Sequence, residues 1–469
     1  MSYTHDAIVI GAGAAGLTAA GGIALFGRDV ALIEAAEMGG ECLNTGCVPS
    51  KALLAAAHRA HHGGSAMGVT LGAPQVAWAG VHAHVHDAIR AIAPHDSVER
   101  FEGMGVEVIR GRARLLGKGR VEVGGRELRA PRIVLATGSK PAIPPIEGVQ
   151  DVPYLTNENI FDLSELPEHL LIVGAGNIGM EMAQAFVRLG SDVTVIEPVR
   201  PLARDDEEAA ALVVQRLEAE GVHFIKAQAK SVSGGQGAIA LETDGGQVIA
   251  GSHLLIATGR RANLDGLGLE AEGVETGRNG IIVDARRRTS NKRIYAIGDC
   301  RDDVRLTHAA GYEGSNVVVD IALGVPTRVD YSALPWCTYT DPELGQVGMT
   351  EEQARERWGS KVRVVREGFD HNDRAIAEGR SEGFCKLVMK GRKLVGATVV
   401  GAGAGEALLP LAQVITGKAS TFALGSAIIA YPTRGEIAKA ASFAAWEPLV
   451  FSAVPKKLAA LVCGARRWR

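Results

Sequence analysis

Cys42 and Cys47, with four residues between them, stand in the run Gly39-Gly40-Glu41-Cys42-Leu43-Asn44-Thr45-Gly46-Cys47-Val48-Pro49-Ser50-Lys51. Three chemistries are open to such a pair. A structural zinc site needs two further ligands at a matching spacing, and the chain has no second pair of this kind. Inert core thiols are a second reading. The third, favoured here, is a redox-active disulfide, which carries two electrons as it opens and closes. Pro49 and the helix-like run from Lys51 to Arg59 would put the thiols near a helix N-terminus, where the dipole favours a thiolate. Cys300, Cys337 and Cys385 lie in or beside apolar strand-like runs and read as buried and inert.

The elements around the pair are those of a dinucleotide fold, and they occur twice. Ala7 to Ile10 reads as a strand leading into Gly11-Ala12-Gly13-Ala14-Ala15-Gly16 and a helix, and Glu34 closes the next apolar run. In such a unit the glycines of positions 11, 13 and 16 permit the tight turn, the approach of a pyrophosphate and close helix packing, while the acid meets a ribose. Leu170 to Val173 leads likewise into Gly174, Gly176 and Gly179, with Glu197 at the end of the next run; Gly11 to Gly174 and Glu34 to Glu197 span the same 163 residues. Two further apolar strands end in Thr137-Gly138 and Thr258-Gly259, and Arg293 to Ile297 ends in Gly298-Asp299. One bound dinucleotide suggests a dehydrogenase; two suggest a flavin beside a nicotinamide and hence a flavoprotein reductase. Glu197 would repel the extra phosphate of NADPH, which favours NADH, although Arg200 and Arg204 follow closely and an arginine reaching back would accept it.

Composition bounds the rest. A chain of 469 residues is long enough for about three domains. Its net charge of −3 gives no reason to expect nucleic acid, and six cysteines are too few for a secreted disulfide scaffold. The start lacks the cationic stretch of a signal peptide, so a cytoplasmic setting is expected. Glycine is in excess, 59 residues against a usual share of about 7%, and belongs in turns and close backbone approaches rather than linkers.

With these motifs together, nearly the whole chain resembles the class I pyridine nucleotide-disulfide oxidoreductases, the family of glutathione reductase, dihydrolipoamide dehydrogenase and mercuric reductase. The resemblance rests on both fingerprints, Cys42 to Lys51, Gly298-Asp299, Leu306-Thr307-His308, Tyr339 to Glu343 and Asn372 to Ala375. It implies an α/β chain of two nested Rossmann-like domains plus a C-terminal α+β dimerisation domain. The expected segments are FAD-binding 1–148, NAD(P)H-binding 149–265, a returning FAD part 266–334 and dimerisation 335–469. It further implies a homodimer in which one subunit completes the active site of the other.

By the same resemblance Cys47 is the thiol against the flavin and Cys42 the interchange thiol, able to attack a disulfide or take a thiophilic metal. Lys51 lies beside the flavin and Glu181 pairs with it. Thr137, Gly138, Ser139, Gly259, Arg260, Leu306 and Thr307 join the cofactor contacts, with Asp299 and His308 at the flavin. No resident metal is expected.

The chain leaves the family pattern at Tyr431-Pro432-Thr433-Arg434-Gly435-Glu436, where disulfide-reducing members carry a His-Pro acid/base and a Glu five residues on. A phenol of pKa about 10 is a poor neutral-pH proton shuttle beside an imidazole of about 6.5. Mercuric reductase resembles the chain in having a tyrosine in this region, but the vicinal C-terminal cysteines of that enzyme are reduced here to Cys463. The reading is therefore a mercuric-reductase-like enzyme. The alternatives are a lipoamide dehydrogenase or glutathione-reductase-like disulfide reductase, a lipoamide dehydrogenase-like subunit docked in a multienzyme complex, and a flavin NADH oxidase.

Two features stand apart. His58/His62 and His82/His86 fall at i, i+4, a spacing that grips metals, and are read as a solvated helix face. The tail from Ser452 to Arg469 puts Leu458, Leu461, Val462 and Ala465 on one helical face with Lys456, Lys457, Arg466, Arg467 and Arg469 around it. It is read first as packing on the dimer or fraying, with contact to an acidic membrane surface as the alternative.

Overall fold

The apolar run Ala7–Ile10 is the middle strand of a five-stranded parallel sheet, in the order Ile294–Ala296, Arg132–Leu135, Ala7–Ile10, Val30–Glu34, Val106–Arg110. Successive side chains of a strand point to opposite faces, and here both faces are covered. Ala7, Val9, Val30, Leu32 and Val134 pack in a cluster that includes the helix residues Ala19, Ile23 and Val317. Ile8, Ile10, Ala31, Ile33, Ile133 and Leu135 pack in another with Leu115, Val121 and Leu128 of a three-stranded antiparallel sheet. Burial on both sides is why these strands read as unbroken apolar runs.

The second fingerprint opens a four-stranded parallel sheet in the order Val222–Ile225, Asp192–Ile196, His169–Val173, His253–Ile256. The same local device ends the first strand of each module. Gly11 has φ +105° and Gly174 φ +107°. A Cβ on Gly16 would stand 1.8 Å from the Gly11 carbonyl oxygen, and one on Gly179 2.1 Å from that of Gly174, so only glycine lets helix meet turn at these points.

The structure, a computed structural model, describes residues 2–63 and 67–466. Both parallel sheets lie in one compact unit, Met1–Arg200 with Glu220–Asp330; a second unit comprises Pro201–Ala219 and Tyr331–Arg469. The second unit is built on a five-stranded antiparallel sheet, Pro335–Thr338, Glu343–Gly348, Lys393–Gly401, Phe384–Lys390, Val362–Gly368. The helices Ala404–Ile415 and Glu436–Val450 contribute to its core. The helix Glu207–Ala219 belongs here although it lies inside the segment expected to carry the nicotinamide module. Just before it, Asp206 accepts from the buried Lys386 ammonium at 2.9 and 3.0 Å, and Asp205 accepts from the Trp336 indole at 2.7 Å. Among the described residues no single helix is long and apolar enough to cross a membrane.

Candidate active site

Cys42 sits in the short helix Gly40–Asn44, and Cys47 opens the helix Cys47–His62. The turn between them closes tightly: a Cβ on Gly46 would lie 2.9 Å from the Glu41 carbonyl oxygen. Asn44 braces the loop by donating to the Gly40 carbonyl at 2.8 Å. The two thiols are free and hydrogen-bond each other, and the Cys47 sulfur lies 3.2 Å from the Thr307 hydroxyl.

The hydrogen bond from Cys42, then that from Thr307 and the charge of Lys51, bring the Cys47 thiol down to about 6 against the opposing effect of burial. The same thiol pairing holds Cys42 far above the usual thiol range. Placing Cys47 in the first turn of a sixteen-residue helix favours the same charge state. One thiolate and one thiol is the state that can open a disulfide or take a soft metal.

Lys51, one turn into that helix, donates to Glu181 at 2.7 Å. Glu181 is buried on the helix Asn177–Leu189, which follows the second glycine turn, so the pair ties the two dinucleotide modules together next to the thiols.

A polar network absent from the sequence reading lies behind Cys42. Arg260 is ion-paired to Glu41 and donates to Ser139 Oγ at 2.8 Å and Asn157 Oδ1 at 3.2 Å. The Ser139 hydroxyl donates to Asp299 at 2.8 Å, and Asn157 donates back to Glu41 at 3.0 Å. Burial pushes the Glu41 carboxyl up to about 7, with Arg260 opposing. Glu41 flanks Cys42, which was the available signal for it; nothing in the sequence marks Asn157.

The two glycine turns are built alike. Gly13 and Gly176 precede their helices with extended backbone and no side-chain cap, and a Cβ on Gly176 would meet nothing within 4 Å. Gly138 (φ +69°) and Gly259 (φ +134°) likewise face open space, while the neighbouring Thr137 hydroxyl is spent on the Asn263 carbonyl at 2.7 Å. The strand-end acids are braced alike: Glu34 accepts from Ala12 and Ala36 backbone N–H at 2.5 and 2.6 Å, Glu197 from Ala175 and Val199 at 2.9 and 3.2 Å. A helix N-terminus with no side-chain cap, glycines at the turn and a strand-end acid form a set that fits a dinucleotide in each module. Leu306 precedes the helix Thr307–Leu323, whose first turn carries Thr307 and an exposed His308.

In the second unit Tyr431 and Glu436 are not paired. Tyr431, 70% exposed, donates to Asp373 at 2.6 Å, and that bond raises its pKa above the ordinary phenol value. Glu436 starts its helix and accepts from the Thr433 N–H at 3.3 Å. Cys300 and Cys385 are fully buried, which pushes their thiols up to about 11 and about 12. Cys337 is half-buried, and Cys463 is exposed.

Residues 5–314 match the protein family described as pyridine nucleotide-disulphide oxidoreductase, and residues 334–442 match the dimerisation domain of the same name. A mercuric reductase of Streptomyces lividans is 35% identical over 454 residues, covering 93% of this chain and 95% of the relative. A dihydrolipoyl dehydrogenase of Thermus scotoductus is 36% identical over 452 residues, covering 92% and 95%. Among solved structures, the HOCl-induced flavoprotein disulfide reductase RclA from Escherichia coli superposes with a TM-score of 0.84 at 27% identity, covering 94% of this chain and 99% of that one.

Proposed function

Because the chain belongs to the pyridine nucleotide-disulphide oxidoreductases, enzymes that use FAD and a pyridine nucleotide and dimerise through their C-terminal domain, we propose that it is an NADH-dependent reductase of thiophilic metal ions. Bound FAD supplies hydride acceptance from the nicotinamide and delivery of an electron pair to a disulfide. Gly11, Gly13, Gly16, Glu34, Gly138, Ser139 and Asp299 hold that group. Gly174, Gly176, Gly179 and Glu197 hold the nicotinamide dinucleotide. The carboxylate of Glu197 sets the preference for NADH by repelling a 2′-phosphate. Cys42 and Cys47 then bind the metal ion as a thiol and thiolate pair, with Lys51, fixed by Glu181, keeping positive charge near Cys47. For Hg(II) the balance is NADH plus Hg(II) giving NAD⁺, Hg(0) and one proton.

The choice of acceptor rests on Tyr431. Reducing a disulfide substrate requires a proton for the departing thiolate, and a phenol whose pKa is raised by Asp373 holds its proton at neutral pH. A metal ion needs no such proton. The test is NADH oxidation by the FAD-loaded dimer with Hg(II) under excess thiol. Stimulation well above the oxygen-dependent background, lost in Cys47→Ser, is expected. No stimulation, or brisk turnover of dihydrolipoamide instead, overturns the assignment; full activity of Cys47→Ser would mark a flavin oxidase.

A further inference from the structure

The dimerisation-domain match ends at residue 442, but the chain runs on through the helix Glu436–Val450, bends by 72°, and continues as the helix Ala453–Arg466. The first helix is committed to the protein: Ile437, Ala438, Ala441 and Ala445 are buried in the core of the second unit. The second helix presents an apolar ridge. Val454, Leu458, Leu461 and Val462 are 66%, 57%, 69% and 52% exposed, and their spacing of i, i+4, i+7, i+8 gathers them in an arc of about 100°. Phe451, at the bend, is 53% exposed. A contiguous ridge of this kind marks an interaction surface.

Charge identifies what it meets. In a chain of net charge −3, residues 448–469 hold Lys456, Lys457, Arg466, Arg467 and Arg469 and no Asp or Glu; Arg467 and Arg469 lie outside the described residues. At 3.6 residues per turn Lys457 borders the apolar arc, where its stem can lie along acyl chains while the ammonium reaches headgroups. Pairing with the same segment of a second copy would set cation against cation. We propose that this tail docks the enzyme on an anionic lipid surface, with the helix lying in the interfacial plane. The described helix is short for a span: fourteen residues make about 21 Å of helix, against a hydrocarbon core of about 30 Å. The preceding helix is held by Ile437, Ala438, Ala441 and Ala445 in the core of the second unit and bends away by 72°.

The test is co-sedimentation of the FAD-loaded full chain with vesicles of equal phosphatidylglycerol and phosphatidylcholine, and with phosphatidylcholine alone. Binding to the anionic vesicles only, weakening as salt is raised, is expected. Lys456→Ala/Lys457→Ala should lower the partition coefficient about thirtyfold, at about fivefold per lysine. Leu458→Glu/Leu461→Glu should abolish binding while NADH-dependent flavin reduction stays unchanged. Equal binding to neutral vesicles, or none at low salt, overturns the proposal. So does a change of oligomeric state by light scattering in the Leu458→Glu/Leu461→Glu variant, which would give the ridge to a second copy.

Discussion

Thr307→Val should raise the pKa of Cys47 by about one unit. The Thr307 hydroxyl lies 3.2 Å from the Cys47 sulfur and lowers its pKa, so it acts as a donor to the thiolate. A hydrogen bond to a charged partner contributes roughly 1.5–3 kcal/mol. Cys47 is partly desolvated but the residue keeps contact with solvent, so water competes and the lower end applies, which at 1.36 kcal/mol per unit is about one pK unit. Valine keeps the shape and removes the donor, moving the thiol from about 6 to about 7. The thiolate fraction at pH 6 should then fall from about half to about a tenth, while at pH 8 it should change by less than about 10%. The assay is the rate of iodoacetamide labelling of Cys47 in the reduced protein, located by peptide mass spectrometry, between pH 5 and pH 9. The expected result is a rate about fivefold lower at pH 6 and nearly unchanged at pH 8. An unmoved midpoint would refute the role of the hydroxyl. An equal slowing at every pH would also do so, because it would mean altered access rather than altered ionisation.

Other expectations concern the glycine turns, the acid beside Cys42 and the nicotinamide acid. Gly179→Ala forces a Cβ to 2.1 Å from a backbone oxygen, whereas Gly176→Ala meets nothing within 4 Å; the first should lose several degrees of Tm or fail to fold, and the second should keep its Tm but raise KM for NADH. Glu41 is raised from 4.5 to about 7 in the folded chain, so its contribution to stability is full below pH 4.5 and is lost as pH rises through about 7. Glu41→Gln lacks that dependence, and the Tm of wild type minus that of the variant should fall between pH 5 and pH 8. Glu197→Gln removes one negative charge near a phosphate and should cut the NADH-over-NADPH ratio of kcat/KM by about tenfold, the effect of about 1.4 kcal/mol at a separation of some 6 Å and an effective dielectric near 40; an unchanged ratio would assign the discrimination elsewhere.

The parts of the fold readable from sequence were those written in local pattern. Ala7–Ile10 and His169–Val173 announce themselves because buried parallel strands are apolar throughout and each ends in a glycine that no other residue can replace. Contacts set by tertiary closure leave no such trace. Lys51 and Glu181 are 130 residues apart and Glu41 and Arg260 219, so spacing says nothing of either pair; the first was reached only through family resemblance and the second was missed. Near Tyr431 the sequence suggested Glu436 as the companion acid. The helix that Glu436 begins instead uses its carboxylate on the Thr433 N–H, and Asp373, 58 residues earlier, takes the phenol. The helix Glu207–Ala219 has an apolar stripe that would suit many surfaces; the buried Asp206–Lys386 pair and the Asp205–Trp336 bond tie the chain just before it to the second unit.

The repeat of 163 residues also changes what the strand-end acids mean. It extends from residue types to hydrogen bonds: the donors to Glu34, Ala12 and Ala36, correspond one for one to the donors to Glu197, Ala175 and Val199. Each acid therefore closes its own glycine turn by satisfying two backbone N–H groups that the turn leaves without a ladder partner. That duty is the same whichever nucleotide is bound, so the presence of an acid at this position is explained by the fold before any ligand is considered. What remains for recognition is the carboxylate's remaining lone pairs and its charge. The lone pairs suit a ribose hydroxyl in either module. On the reading proposed above, only the charge separates NADH from NADPH, and its effect depends on the cations nearby; Arg200 and Arg204, next to Glu197 in the sequence and without counterparts at the matching positions after Glu34, then bear on the proposed nicotinamide module alone.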